Sequence, residues 1–148
     1  MQQRTHTCGE LTEKNIDEVV SLCGWVHTRR DHGGLIFLDL WDKYGLTQVV
    51  LNPQIDQLAH QEAHSLRGNF VIAVRGKVRR RPEDMVNPKL KTGTIEVFIE
   101  EFEILNPSST PPFTGWEDQE VGEATRLKHR YLDLRSDELQ KNLELRYQ

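Results

Sequence analysis

The feature that most constrains the fold is the hydrophobic period, which changes twice within residues 1–105. Apolar and polar side chains alternate, as in β-strands with one face on a core, in residues 19–30, 35–42, 46–51, 69–81 and 94–105. Between the third and fourth of these segments the apolar residues fall at helical spacing instead, and they are Ile55, Leu58, Ala59, Ala63 and Leu66. The predicted order is therefore three strands, one helix and two strands.

Turn-forming residues separate these segments. Asp31-His32-Gly33-Gly34 lies between the first two strands, where paired glycines are typical of a hairpin. Asn52-Pro53 predicts the start of the helix, and Gly68 lies where a helix end favours left-handed backbone. We therefore predict an all-β fold with one helix, the OB-fold, a five-stranded Greek-key barrel with its helix between strands three and four. Another small α+β sheet would have the same order of elements.

The rest of the chain differs in composition. Residues 106–124 contain three prolines and other turn formers without any period, which indicates a linker. Further on, Ser136 followed by two acidic residues is typical of a helix N-terminus, and the leucines after it predict a helix that still continues at Gln148. We expect a barrel domain, a linker and the truncated start of a second domain, over residues 1–105, 106–124 and 125–148.

Charge and cysteine usage narrow the class of protein. The formal net charge of −4 argues against coating nucleic acid through bulk electrostatics, so a nucleic-acid site would be a local patch. No segment approaches the roughly 18 consecutive apolar residues of a membrane helix, and the N-terminus lacks the apolar stretch of a secretory signal. Cys8 and Cys23 have no metal-ligand spacing. We expect two reduced thiols in a cytoplasmic protein, no metal site and no membrane partner.

The second strand suggests a binding surface on the outside of the barrel. If Ile36, Leu38 and Leu40 fill the barrel, Phe37 lies on the outer surface among polar neighbours. An exposed aromatic ring on such a sheet can stack on an unpaired base. The alternation leaves open that Phe37 packs beneath a loop or helix instead.

The fourth strand carries a row of cations. Alternation places four side chains on the same side, namely Arg75, Lys77, Arg79 and Arg81. Such a row repels itself unless something anionic lies along it, and a phosphate backbone would serve. A solvated face or a charged edge strand is the alternative.

Other polar side chains are candidates for contacts with a base. Arg29 and Arg30 reach opposite sides at the end of the first strand, so at most one of them faces Phe37. The amide of Gln48 can both donate to and accept from a base edge. The carboxylate of Glu96 can accept from the amino and imino groups of guanine. The pattern is equally consistent with strand residues that have no binding role.

One run of residues resembles a known family. Cys23–Leu40, with its arginine-arginine-aspartate-histidine-glycine-glycine turn, closely resembles the N-terminal domain of bacterial aspartyl-tRNA synthetases. Lysyl and asparaginyl relatives share the barrel but not this turn. Residues 126–135 resemble the beginning of that family's class II catalytic domain. The resemblance continues through Thr5–Leu11, Gln48–Val50, Arg81–Glu83, Asn87–Pro88 and Thr92–Val97.

The resemblance implies an OB-fold that binds the anticodon loop of a tRNA. It implies that Phe37 stacks on the central uridine of the anticodon and that Gln48 reads the edge of that base. It places Glu96 near the guanosine at the first anticodon position, and it implies that Arg30 contacts the anticodon. Three more positions match residues that lie along the RNA, and these are Arg79, Arg81 and Asn87.

Some residues depart from the family pattern. Thr28 and Trp41 stand where arginine is common, and Thr28 puts one contact with the RNA backbone in question. Two positions are associated in this family with whether the enzyme also charges tRNA-Asn. His32 resembles the non-discriminating type, whereas Asp84 stands where many relatives have glycine. We favour the non-discriminating type.

By the same resemblance, the motifs that bind ATP and aspartate lie beyond Gln148. We expect this chain to hold no catalytic residue and no cofactor. The full-length enzyme would use ATP and magnesium to attach aspartate to tRNA-Asp, and to tRNA-Asn if it does not discriminate, as a homodimer formed by the catalytic domain. The alternatives are a free-standing OB-fold adaptor for single-stranded nucleic acid or a protein, and a purely structural barrel.

Overall fold

A computed structural model describes residues 3–52, 62–114 and 120–148, which fall into two compact units, Met1–Ser109 and Thr110–Gln148. The first unit is a closed barrel in which the five strands are neighbours in the order β1-β2-β3-β5-β4. The strands are β1 (Val19–His32), β2 (Leu35–Asp42), β3 (Gly45–Leu51), β4 (Val71–Arg80) and β5 (Ile95–Asn106). The predicted OB-fold is confirmed.

Strand β1 is long enough to pair with two neighbours. Its first half pairs with β4 and its second half with β2, both antiparallel, and only the β3–β5 contact is parallel among the described pairs. Side chains that alternate inward from every strand form one apolar core, including Leu22, Leu38, Val49, Ile72 and Val97. Closure of the barrel leaves the alternate side chains on its outer surface.

The β1–β2 hairpin confirms the predicted glycine turn. Gly33 and Gly34 have φ values of 59° and 77°, which a two-residue turn of type I′ requires at both positions. Asp31 and His32 belong to the strand rather than to the turn. The hairpin therefore extends β1 by two residues beyond the predicted end.

The segment between β3 and β4 is helical at residues 62–65, and Ala63 and Leu66 are buried in the core as predicted. The predicted helix start at Pro53 and the positions Ile55, Leu58 and Ala59 lie outside the described residues. The prediction for Gly68 is wrong: the left-handed residue is Asn69, with φ 66°. Asparagine tolerates this backbone, and the Asn69 N–H donates to the Val26 carbonyl at 2.8 Å.

The residues before β1 cover part of the barrel, which the alternation did not predict. The Cys8 N–H donates to Asp42 at 2.9 Å, and the Thr47 hydroxyl donates to the Cys8 carbonyl at 2.6 Å. Burial, with Asp42 nearby, raises the pKa of the Cys8 thiol. The short 3₁₀ helix Glu13–Asn15 follows, with the Thr12 side chain accepting from Lys14 N–H. A second one, Glu83–Met85, follows β4.

Among its described residues, the second unit contains three helices, α1 (Glu123–Lys128), α2 (Arg130–Asp133) and α3 (Asp137–Tyr147). The predicted N-cap of α3 is confirmed, because the Ser136 hydroxyl accepts from Leu139 N–H at 3.4 Å. Within the described ranges, no helix is long and apolar enough to cross a membrane.

Candidate nucleic-acid interface

Two neighbouring rows of outward-facing side chains cross all five strands on one side of the barrel. We call the first the polar row; it runs through β1, β2, β3, β5 and β4 as Thr28, Asp39, Gln48, Glu96 and Arg79. We call the second the aromatic row; it runs through the same strands as Arg30, Phe37, Val50, Phe98 and Lys77. Five of the predicted site residues lie in these rows, namely Arg30, Phe37, Gln48, Arg79 and Glu96.

A β-bulge in β1 decides which arginine joins these rows. The register shifts between Val26 and Thr28, so that Thr28 pairs with Asp39, Arg29 with inward-facing Leu38 and Arg30 with Phe37. A bulge adds one residue to a strand and reverses the sides of all residues after it. Without the bulge, strict alternation would place Arg29 on the same face as Cys23, Trp25 and His27, and the register shift rules this out. Arg30 is the arginine beside Phe37.

Arg29 instead holds the helical segment against the barrel. Its Nη1 donates to the carbonyls of Ala63, His64 and Leu66 at 3.0, 3.0 and 3.2 Å. Its Nη2 also lies 3.0 Å from the carboxylate of Asp31. These carbonyls belong to the end of a helix, where backbone acceptors lack partners within the helix. The role of Arg29 is structural.

Replacing Arg29 with methionine is expected to lower the free energy of unfolding by about 1.5–3 kcal/mol, because the carbonyls lose a charged donor. Selectivity for bases should stay unchanged, since Arg29 faces away from both rows. Urea unfolding of the two proteins measures the difference. Asp31→Asn is the matched control, because it removes only an exposed ion pair and should have a smaller effect. Equal stability of Arg29→Met and the parent would contradict this role.

A chain of hydrogen bonds starts at Asp39, which sequence reasoning did not select. One carboxylate oxygen accepts from the Thr28 hydroxyl, and the other lies 3.1 Å from Arg30 Nη2. The same Nη2 donates to Gln48 Oε1 at 3.3 Å. Asp39 therefore fixes the position of Arg30, and Arg30 binds the oxygen of the Gln48 amide.

The chain continues from Gln48 to the far side of the polar row. Gln48 Nε2 donates to Glu96 Oε2 at 3.0 Å, and Arg79 Nη2 lies 3.6 Å from Glu96 Oε1. Gln48 and Glu96 are only 7% and 8% exposed. With a cation beside its oxygen and an anion beside its nitrogen, the Gln48 amide has one favoured orientation. One amide hydrogen and one oxygen lone pair remain for a ligand.

The cations of β4 form ion pairs with carboxylates of the same chain, so a phosphate backbone is not their only available partner. The ion pairs of the three predicted cations on this strand, with their N–O distances, are Arg75–Glu101 at 3.4 Å, Lys77–Asp17 at 3.1 Å and Arg79–Glu96 at 3.6 Å. Self-repulsion of the row therefore does not require a bound anion, and the row alone does not indicate a phosphate site.

Arg81 differs from the other cations because it is only 5% exposed. Its Nε donates to the Ile95 carbonyl at 2.9 Å, while its Nη2 has no hydrogen-bond partner among the described residues. Burial lowers the pKa of Arg81 and Arg30 adds to this, whereas the negative charges of Asp39 and Glu96 act in the opposite direction. Arg81 thus lies close to the polar row with one buried donor still available.

The remaining predicted residues lie outside the two rows. Asn87 Oδ1 accepts from Lys89 N–H at 3.1 Å, so part of this side chain shapes its own loop. His32 is exposed beside the hairpin turn, and Asp84 is exposed in the 3₁₀ helix after β4. In the part of the chain that the structure describes, no group of three His, Cys, Asp or Glu side chains could hold a metal ion.

Asp39 and Phe98 are two residues of the rows that sequence reasoning did not select. Alternation places both on the outer face, Asp39 two residues after Phe37 and Phe98 two residues after Glu96, so this parity is the signal that identifies them. Their neighbours are not visible in the sequence, since the parallel contact of β3 with β5 joins residues that are far apart along the chain.

The closed five-stranded barrel is an OB-fold, and a ring beside hydrogen-bonding groups on its outer face is typical of OB-folds that bind single-stranded nucleic acid. Residues 20–105 match the family model for the tRNA anti-codon type of OB-fold nucleic acid binding domain, and the chain belongs to this family.

More particularly, the chain is similar to the N-terminal part of aspartate–tRNA ligases. It is 55% identical over 144 residues to the aspartate–tRNA(Asp/Asn) ligase of Oleidesulfovibrio alaskensis and 57% identical over 144 residues to that of Moorella thermoacetica. Each alignment covers 97% of this chain and 24% of the relative. The chain thus spans about a quarter of the length of these curated relatives, and the matched quarter excludes their catalytic domain.

The chain is also similar in structure to a solved aminoacyl-tRNA synthetase. The asparaginyl-tRNA synthetase of Pyrococcus horikoshii complexed with asparaginyl-adenylate has a TM-score of 0.74 and 25% identity, over 92% of this chain and 30% of that one. The comparisons confirm the resemblance to the N-terminal domain of aspartyl-tRNA synthetases and do not favour a free-standing adaptor.

Proposed function

We propose that this barrel reads the anticodon loop of tRNA-Asp and tRNA-Asn as the anticodon-recognition domain of an aspartate–tRNA ligase. The observation that carries the proposal is the pair of rows, in which a stacking ring lies beside an ordered set of donors and acceptors. Unpaired bases in RNA loops are recognised by stacking on aromatic rings and by hydrogen bonds to their exposed edges.

The spacing of the rows fits one nucleotide. Phe37 and Asp39 are two residues apart on β2, which separates the rows by about 7 Å. A base stacked on Phe37 would therefore present its edge to the polar row, with Gln48 at the centre. The carboxylate of Glu96, one strand further, would accept from the imino and amino groups of the guanosine at the first anticodon position.

The choice between the two tRNAs concerns a single anticodon base. Aspartate and asparagine codons differ only at their first base, so the two tRNAs share the first and second anticodon bases. The rows would read these shared bases, and His32 and Asp84 would influence acceptance of the third. Support for binding both tRNAs comes from His32 and from the relatives, which are named aspartate–tRNA(Asp/Asn) ligases.

The test is a titration of the chain with anticodon stem-loops of tRNA-Asp and tRNA-Asn at one fixed salt concentration. We expect both to bind with similar affinity. Replacing the central uridine by cytidine should weaken binding of either stem-loop by about 1–3 kcal/mol, which is the usual size of a base mismatch. Affinity that ignores this replacement would contradict the proposal, and binding of the tRNA-Asp stem-loop alone would restrict it to one tRNA.

The activity of the whole ligase is part of the same proposal. The cytoplasmic enzyme would form aspartyl-adenylate from aspartate and ATP with magnesium, and would then transfer aspartate to the 3′ end of the tRNA. It would act as a homodimer joined through its catalytic domain. The barrel would supply selection of the tRNA, and none of its residues is assigned to ATP or magnesium.

A further inference from the structure

We propose that Phe98 and Arg79 form a second stacking platform, for an unpaired base next to the one that stacks on Phe37. This inference rests on the proposed function and deepens it. It gives Arg79 a different task from the phosphate contact that the row of cations suggested.

The guanidinium of Arg79 covers the ring of Phe98. Arg79 Cζ lies 4.0 Å from the centroid of that ring, within the range of a cation–π contact. Glu96 Oε1, at 3.6 Å from Arg79 Nη2, restrains the same group from the side. The guanidinium is therefore held in place before any ligand binds, which lowers the entropic cost of using it as a binding surface.

The outer side of this guanidinium remains available. The Arg79 side chain is 46% exposed although one side rests on Phe98. A guanidinium is planar and stacks on bases in the way that aromatic rings do. Its charge is already shared between the Phe98 ring and Glu96, so it is a weaker phosphate ligand than a free arginine would be. Both properties favour a nucleobase over a phosphate.

The position of this platform suits a second base rather than the first. Phe37 pairs with Val50 and Val50 with Phe98, so the two platforms are two strand spacings apart, about 9–10 Å. Val50 lies between them in the aromatic row and is 1% exposed. One base cannot cover both platforms, whereas two unstacked neighbouring bases can occupy one each.

The test distinguishes the contribution of the planar guanidinium surface to binding from the contribution of its positive charge. Arg79→Lys keeps the cation and loses the planar surface, and it should weaken binding of the tRNA-Asp stem-loop about fivefold or more, because loss of a base stack costs about that much. In Arg79→Ala, which removes the cation, the slope of log affinity against log salt should not change, because no phosphate contact is lost. Phe98→Leu should weaken binding in the same direction, since Arg79 loses its support.

The matched control is the adjacent residue. Arg80→Lys changes the same kind of side chain on the same strand, but Arg80 pairs with Glu13 at 3.1 Å and takes no part in either row. It should leave affinity unchanged. A 2-aminopurine placed on either side of the central uridine gives a direct readout, because stacking of the probe base on Arg79 should change its fluorescence in the parent and not in Arg79→Lys. Thermal unfolding confirms that each variant is folded.

The outcomes distinguish this inference from the proposed function. If the parent does not prefer the central uridine, the proposed function itself fails. If the parent prefers it and Arg79→Lys binds like the parent, only the second platform is overturned. A salt slope that falls by about one in Arg79→Ala would also overturn it, because loss of the cation would then have removed a phosphate contact.

Discussion

Replacing Phe37 with alanine is expected to weaken binding of the anticodon stem-loop by about 1–3 kcal/mol, the usual contribution of one aromatic stack on a base. Phe37 faces outward and does not belong to the core cluster, so its ring is available to a ligand. The barrel should remain folded, because the core residues Ile36 and Leu38 on either side of Phe37 are unchanged. The loss should therefore appear in binding far more than in stability.

Fluorescence anisotropy at constant salt measures the binding, and urea unfolding measures the stability. Tyr44→Ala is a suitable control, since Tyr44 is also an aromatic residue of the barrel and is 56% exposed, but lies in the turn between β2 and β3 beside Arg4 and Lys43. It should leave binding nearly unchanged. A purely structural barrel predicts that both variants bind RNA like the parent, and that result would reject Phe37 as a stacking platform.

Strand alternation predicted most of the two rows because β2 and β3 pair without irregularity. In such strands every second residue faces outward, which placed Phe37 and Gln48 correctly. It failed in β1, where the bulge before Thr28 moves Arg29 away from the outer face and Arg30 onto it. A bulge depends on the local packing of neighbouring strands, and none of Val26, His27 and Thr28 is a glycine or proline that would mark it.

The alternation also could not predict how deeply a side chain is buried or which residues of distant strands are in contact. It places Arg81 on the same side as Arg79, yet Arg81 is buried beneath the surface and Arg79 is exposed. Similarly, Gln48 and Glu96 were two separate candidates in the sequence. Only the parallel contact between β3 and β5 makes them hydrogen-bonded neighbours in the polar row.

The hydrogen-bonded chain from Asp39 to Glu96 predicts an effect of Asp39, although Asp39 contacts no base in the proposed function. Asp39→Ala should lower the preference for the central uridine about tenfold, or about 1.4 kcal/mol, because Arg30 loses the partner that holds it against the Gln48 amide. At the same time, overall affinity for RNA should hold or rise, since the variant has one negative charge less near the backbone. Asp39→Asn should retain more selectivity, because an amide oxygen can still accept from Arg30.

A double-mutant cycle decides whether Asp39 acts through Gln48. Gln48→Ala should itself remove most of the preference for uridine, and adding Asp39→Ala to that variant should change the preference no further. Two residues that work through one contact give non-additive effects, whereas independent residues give additive ones. The selectivity is measured as the ratio of affinities for stem-loops with uridine or cytidine at the centre, which cancels the general change in charge. Additive losses would mean that Asp39 affects the RNA by another route, and the hydrogen-bonded chain from Asp39 to Glu96 would then be a feature of the barrel without a part in reading the base.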